Sequence, residues 1–134
     1  MKPLKVLIVE DDFTSRVLLQ EIMKHYGSCH IAVNGKEALE AAEKALLAKK
    51  PYDLIFLDIM MPEMDGQETL RQLRTMEESQ GIQIGKGAKV IMATCYGDSK
   101  NVLESFNELC DAYLVKPIHK EKLEKELHAL GLMG

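Results

Sequence analysis

Five short apolar runs, separated by stretches with helical periodicity, constrain the chain more than any other feature of its sequence. The runs are Leu4 to Val9, His30 to Val33, Leu54 to Leu57, Val90 to Ala93 and Ala112 to Val115. All but the second are nearly continuous in apolar character. A strand alternates between apolar and polar residues when one face meets water. A continuous run implies that both faces are covered, as in a parallel sheet flanked by helices.

The intervening stretches supply those helices. Val17, Leu18, Ile22 and Met23 recur at helical spacing, as do Ala38, Leu39, Ala42, Ala45 and Leu46, which start after Asn34 and stop before Pro51. Leu70, Leu73 and Met76 mark a third helix, Val102, Leu103, Phe106 and Leu109 a fourth, and Leu123, Leu127 and Leu130 a fifth. Strand and helix thus alternate five times, which predicts an α/β fold with a parallel sheet and helices on both faces. One polar, glycine-bearing stretch, Glu77 to Gly87, interrupts this rhythm and reads as a frayed helix end with a surface loop.

A chain of 134 residues is the length of one domain, read here as 1–134, and 46% apolar residues suffice for a core. A net charge of −4 argues against direct binding of nucleic acid. No apolar run approaches the length of a membrane span, so the reading is of a soluble, cytoplasmic protein without a membrane partner. The three cysteines, Cys29, Cys95 and Cys110, are widely spaced and suggest neither a disulfide framework nor a zinc site. His25, His30, His119 and His128 show no ligand spacing and read as structural or exposed.

The residues that end the strands carry the chemistry. The first run is followed by Glu10, Asp11 and Asp12, the third by Asp58, the fourth by Thr94 and the fifth by Lys116. Parallel strands place all their carboxyl ends on one edge, where open α/β sheets bind ligands. Asp11, Asp12 and Asp58 bring three negative charges and Lys116 returns one, which leaves minus two for a divalent cation to neutralise. Few, hard oxygen ligands suit Mg²⁺, often completed by a substrate phosphate. A carboxylate beside that ion can attack phosphorus. Thr94 can donate a hydrogen bond to a phosphoryl oxygen.

At these residues the chain resembles the bacterial-type response regulator receiver family over essentially its whole length. Val6-Leu7-Ile8-Val9-Glu10-Asp11-Asp12 resembles the family's first strand and acidic pair. Asp58-Ile59-Met60-Met61-Pro62-Glu63-Met64-Asp65-Gly66 matches its DxxMPxMDG segment, and Val115-Lys116-Pro117 its Lys-Pro. The resemblance implies a flavodoxin-like, doubly wound (βα)5 sheet in the order 2-1-3-4-5. It implies Asp58 as phosphoacceptor, assisted by Thr94 and Lys116. It implies a Mg²⁺ site with Asp12 as direct ligand, Asp11 acting largely through water, and Asp58 and the Met60 backbone carbonyl completing the set. Thr94 and Tyr113 are the switch positions it implies, Met60 and Cys95 border the site, and the Lys116–Pro117 bond is expected to be cis. Met60 is read as a shield of the phosphoryl group against water.

The function implied is a signalling phosphoacceptor of a two-component or phosphorelay system rather than an enzyme. A sensor histidine kinase or histidine phosphotransfer protein supplies the phosphoryl group. The surface of the fourth helix, fifth strand and fifth helix then changes toward an unidentified protein target, with phosphorylation-dependent homodimerisation as a further outcome. With no output domain in the 134 residues, the signal leaves through that surface. The alternative is a Mg²⁺-dependent phosphohydrolase with Asp58 as nucleophile; a haloacid dehalogenase-type enzyme needs an aspartate two residues further on, where this chain has Met60. A flavin-binding relative needs a Ser/Thr/Gly-rich phosphate loop where Glu10 to Phe13 stand. A degenerate receiver would lack the full set of site residues.

Overall fold

The computed structural model describes residues 3–59, 66–83, 85–94 and 109–133, with Thr94 described by its backbone. The strands are β1 (Leu4–Val9), β2 (Gly27–Ala32), β3 (Leu54–Asp58), β4 (Lys89–Thr94) and β5 (Ala112–Val115). The helices among the described residues are α1 (Phe13–Met23), α2 (Gly35–Leu47), α3 (Gly66–Ser79) and α4 (Lys120–Ala129), the last being the fifth helical pattern of the sequence. The fourth pattern, apart from Leu109, lies outside the described residues.

All strand pairs are parallel, in the order β2-β1-β3-β4-β5. This is the doubly wound, flavodoxin-like arrangement expected, with the reversal of strand order between β1 and β3. Successive residues of a strand face opposite sides, and the central strands bury both. Leu7, Val9, Ile55, Leu57, Val90 and Met92 pack with Ala38, Ala42 and Ala45 of α2 and Leu70 and Leu73 of α3. Val6, Ile8, Leu54, Phe56, Ile91 and Ala93 pack on the other side with Leu19, Ile22 and Met23 of α1 and Leu123 and Leu127 of α4.

Local chemistry sets the helix starts. Asp12 and Asn34 cap α1 and α2, accepting from the backbone N–H of Ser15 and Glu37 at 2.8 Å each. The inward face of α1 differs from the sequence reading: Leu19 is buried, whereas Val17 and Leu18 are exposed. Two further expectations are corrected. The second strand starts at Gly27, three residues before the apolar run, because edge strand β2 alternates in burial and needs no continuous run. The carboxylate of Glu77, read as part of a frayed end, is buried within α3. It accepts from Arg74 Nη1 and from the Ala88 backbone N–H, both at 2.8 Å. Arg74 also donates to the carbonyls of Leu109 and Ala88 and to Asp111, and so ties the end of α3 to the starts of β4 and β5.

Candidate functional site: an acidic cluster at the strand ends

β1, β3 and β5 deliver their last residues to one edge of the sheet. Glu10 follows β1 directly, Asp58 ends β3 and Lys116 follows β5. Glu10 and Asp58 are 1% and 4% exposed, so neither charge is met chiefly by bulk water. The Lys116 ammonium answers both. Its Nζ lies 2.9 Å from Glu10 Oε1, 2.8 Å from Oε2 and 3.4 Å from Asp58 Oδ2. Burial alone would push this lysine down. The Glu10 hydrogen bond and the charges of Asp58 and Glu10 outweigh burial and hold it above the ordinary lysine value.

Asp11 completes the cluster. Glu10, Asp11 and Asp58 each offer a carboxylate oxygen within 4.8 Å of the others. Asp12, read from the sequence as the direct ligand, is not in that group. Its Oδ2 is engaged by the Ser15 N–H at the start of α1, and that hydrogen bond holds the acid below its ordinary value. The acids grouped with Asp58 are thus Glu10 and Asp11. An Asp immediately before the first helical residue is the standard N-cap choice, and Asp12 fills that place.

The surrounding backbone fixes the cluster. Glu10 N–H donates to the Ala32 carbonyl at 3.0 Å, and Asp12 N–H donates to Glu10 Oε1 at 3.1 Å. Arg16 reaches back from α1 to the Glu10 carbonyl at 3.3 Å. Gly66 N–H donates to the Ile59 carbonyl, and a Cβ at Gly66 would fall 2.3 Å from the Asp58 carbonyl oxygen. A side chain is thus excluded where α3 begins beside Asp58.

The donor set fits a small hard cation. Three carboxylates less one ammonium leave minus two, the ligands are all oxygen, and among the described residues the buried Glu10 Oε2 accepts no hydrogen bond beyond its ion pair with Lys116. Of the remaining site residues read from the sequence, Thr94 ends β4, with its side chain outside the described residues, as are Met60 and Cys95. Tyr113 lies on edge strand β5 and is 42% exposed. The Lys116–Pro117 bond is cis.

Comparison with known proteins agrees with this geometry. The family model for the response regulator receiver domain matches residues 6–128. The chain belongs to that family. It is 35% identical to the transcriptional regulatory protein ResD of Bacillus subtilis over 127 residues, covering 94% of this chain and 47% of that protein. It is 32% identical to the transcriptional regulatory protein ZraR of Klebsiella oxytoca over 123 residues, covering 91% of this chain and 25% of that protein. The chain therefore spans about half or less of the length of these relatives. The receiver domain of the Arabidopsis thaliana histidine kinase CKI1, solved in complex with Mg²⁺ and BeF₃⁻, superposes with a TM-score of 0.83. That pair shares 28% identity and covers 97% of this chain and 91% of that one, so the likeness is not confined to bacterial proteins. No helix among the described residues is long and apolar enough to cross a membrane.

Proposed function

We propose that the chain is a phosphorylation switch of a two-component or phosphorelay pathway, with Asp58 as the phosphoacceptor. The observation that carries this reading is the placement of the Lys116 ammonium 3.4 Å from Asp58 Oδ2, beside two further carboxylates. A buried acid that must act as a nucleophile needs positive charge at hand when the phosphoryl group arrives. Lys116 supplies part of it.

Glu10, Asp11 and Asp58 would hold Mg²⁺, and the Met60 carbonyl remains the proposed backbone ligand. When bound, the ion supplies charge neutralisation for the incoming phosphoryl oxygens. The Asp58 carboxylate forms the new oxygen–phosphorus bond as the bond from phosphorus to the donor's histidine nitrogen breaks. Lys116 and the Thr94 hydroxyl then hold the transferred group. Its contacts favour one of two pre-existing arrangements, with Tyr113 on β5 as the second switch position. The donor is a histidine kinase or histidine phosphotransfer protein, and the recipient of the signal is a protein surface in the cytoplasm.

Incubation with acetyl phosphate and Mg²⁺, followed by intact-mass measurement, tests the proposal. One phosphoryl group per chain is expected, suppressed by EDTA. Continuous release of inorganic phosphate at many turnovers per chain would instead favour a phosphohydrolase.

A further inference from the structure

β2 is an edge strand whose outer side is open. Leu4 N–H donates to the Tyr26 carbonyl and Glu10 N–H to the Ala32 carbonyl, so residues 26, 28, 30 and 32 turn their backbone groups toward β1. The N–H and C=O of Cys29 and Ile31 point outward, and among the described residues nothing bonds to them. Exposed edges are ordinarily guarded by proline, charged side chains, a bulge or shortness. β2 runs six residues in unbroken register with β1, and its sequence GSCHIA holds no proline, lysine, arginine or acid.

A cleft opens beside this edge on each face of the sheet. The one on the α1 side, of about 350 Å³, is lined by Val17, Gln20, Gly27 and Cys29, with Lys24 and Glu21 paired to each other at 2.8 Å. Its charge is balanced, and Val17 and Cys29 give it apolar walls. The one on the α2 side, of about 500 Å³, is lined by His30, Tyr52 and three lysines, Lys5, Lys44 and Lys50, against two acids, Glu37 and Glu40. Glu37 is engaged by the Val33 N–H. Among the described residues the three lysines enter no ion pair. Lys5 Nζ donates to the Lys50 carbonyl at 2.6 Å and sits 4.7 Å from the centre of the Tyr52 ring, which fixes one cation in this cleft. A chain of net charge −4 thus carries a positive excess here.

We propose that β2 is a docking edge for an extended acidic segment of a partner protein, which joins the five-stranded sheet as a sixth strand. Its backbone pairs with Cys29 and Ile31. Alternate side chains of a strand point to opposite faces. Acidic ones meet Lys5, Lys44 and Lys50 on the α2 side, and apolar ones meet Val17 and Cys29 on the α1 side. A second copy of this chain fits less well, because antiparallel two-fold pairing through β2 sets the basic cleft against itself.

The test uses the full chain and a capped eight-residue peptide of alternating glutamate and valine. On titration, the Cys29 and Ile31 amide signals are expected to move more than any others, and their hydrogen exchange to slow. Cys29→Pro deletes an outward N–H without touching the ladder to β1, and should weaken binding at least about tenfold by calorimetry. Lys44→Glu with Lys50→Glu, both on the surface, should weaken it as much while leaving Tm unchanged, which keeps the test open if the proline variant does not fold. A peptide with its glutamates and valines in two blocks has the same charge without the alternation, and should bind at least about tenfold more weakly. Equal binding of the block peptide, or amide shifts centred away from β2, would overturn the proposal. So would a dimer of the chain alone that protects the Cys29 and Ile31 amides, since that result assigns the edge to a second copy.

Discussion

Arg74 is the side chain whose removal should cost the fold most for a polar residue distant from the site. Its guanidinium donates to Glu77, to the carbonyls of Ala88 and Leu109, and to Asp111, at 2.8 to 3.1 Å. Arg74→Met keeps most of the aliphatic stem and removes every donor. The Glu77 side chain, 7% exposed, then keeps only the Ala88 N–H of these contacts, and two carbonyls lose a donor. Breaking a buried pair from one side costs about 3–5 kcal/mol. The lower end applies, because the Asp111 side chain is 23% exposed and has Lys89 at 3.8 Å to answer part of its charge. An unfolding entropy of about 2.1 cal/mol/K per residue over 134 residues turns a loss of ~3 kcal/mol into a fall in Tm of roughly 10 °C. Thermal unfolding followed by circular dichroism measures it. In a double-mutant cycle, Arg74→Met with Glu77→Gln should lose less than the two single variants together by at least about 1 kcal/mol, since the uncompensated charge is gone. A Tm within about 3 °C of the parent, or strict additivity in the cycle, would refute the reasoning that this network is a buried and coupled anchor.

Three further outcomes follow from the geometry. Gly66→Ala drives a Cβ to within 2.3 Å of the Asp58 carbonyl oxygen, so chemical denaturation should show a loss of about 1–3 kcal/mol, with weakened Mg²⁺ binding as the backbone yields. Asp12→Ala should lower Tm through loss of the α1 cap yet leave Mg²⁺ affinity within about threefold of the parent, whereas Glu10→Ala should weaken binding by more than about tenfold, both read by calorimetry. At alkaline pH, burial pushes the Cys29 and Cys110 thiols and the Tyr52 phenol up, and the hydrogen bond with Glu124 pushes Tyr26 up. A raised folded value stabilises the protonated form, so this contribution is complete below the ordinary thiol value of 9.0 and is lost as pH rises through the folded values. Melts at constant salt should therefore show Tm falling from about pH 9 upward, with the first part of the fall reduced in Cys29→Ala/Cys110→Ala.

Much of this molecule was legible in its sequence because burial on both faces of a parallel sheet leaves an uninterrupted apolar run. β1 and β5 have the bounds the runs suggested, β3 runs one residue further at its C-terminal end, and β4 runs one residue further at each end. β2 was less legible because an edge strand is covered unevenly, so Gly27, Ser28 and Cys29 carried no signal. Asp58 and Lys116 were legible from their place after strands, and the structure brings them together. Which of the three consecutive acids group with Asp58 was not legible, because they look alike in one dimension. A helix N-cap separates them: Asp12 is occupied by the Ser15 N–H, and Glu10, nearer the strand, faces Lys116. Glu77 was misread for the opposite reason. A glutamate in a polar stretch reads as solvated, and only the approach of Arg74 and Ala88, one across the helix turn and one eleven residues on, explains its burial.

The central claim is that Asp58, within the Glu10, Asp11 and Lys116 cluster, is the atom source for the new bond to phosphorus. Borohydride reduction of the chain after acetyl phosphate and Mg²⁺ treatment, followed by peptide mass spectrometry, locates an acyl phosphate by converting its residue to homoserine. Homoserine at position 58 and nowhere else, absent from Asp58→Asn, is the expected result. Homoserine at position 11 or 12, or a label that survives Asp58→Asn, would contradict it.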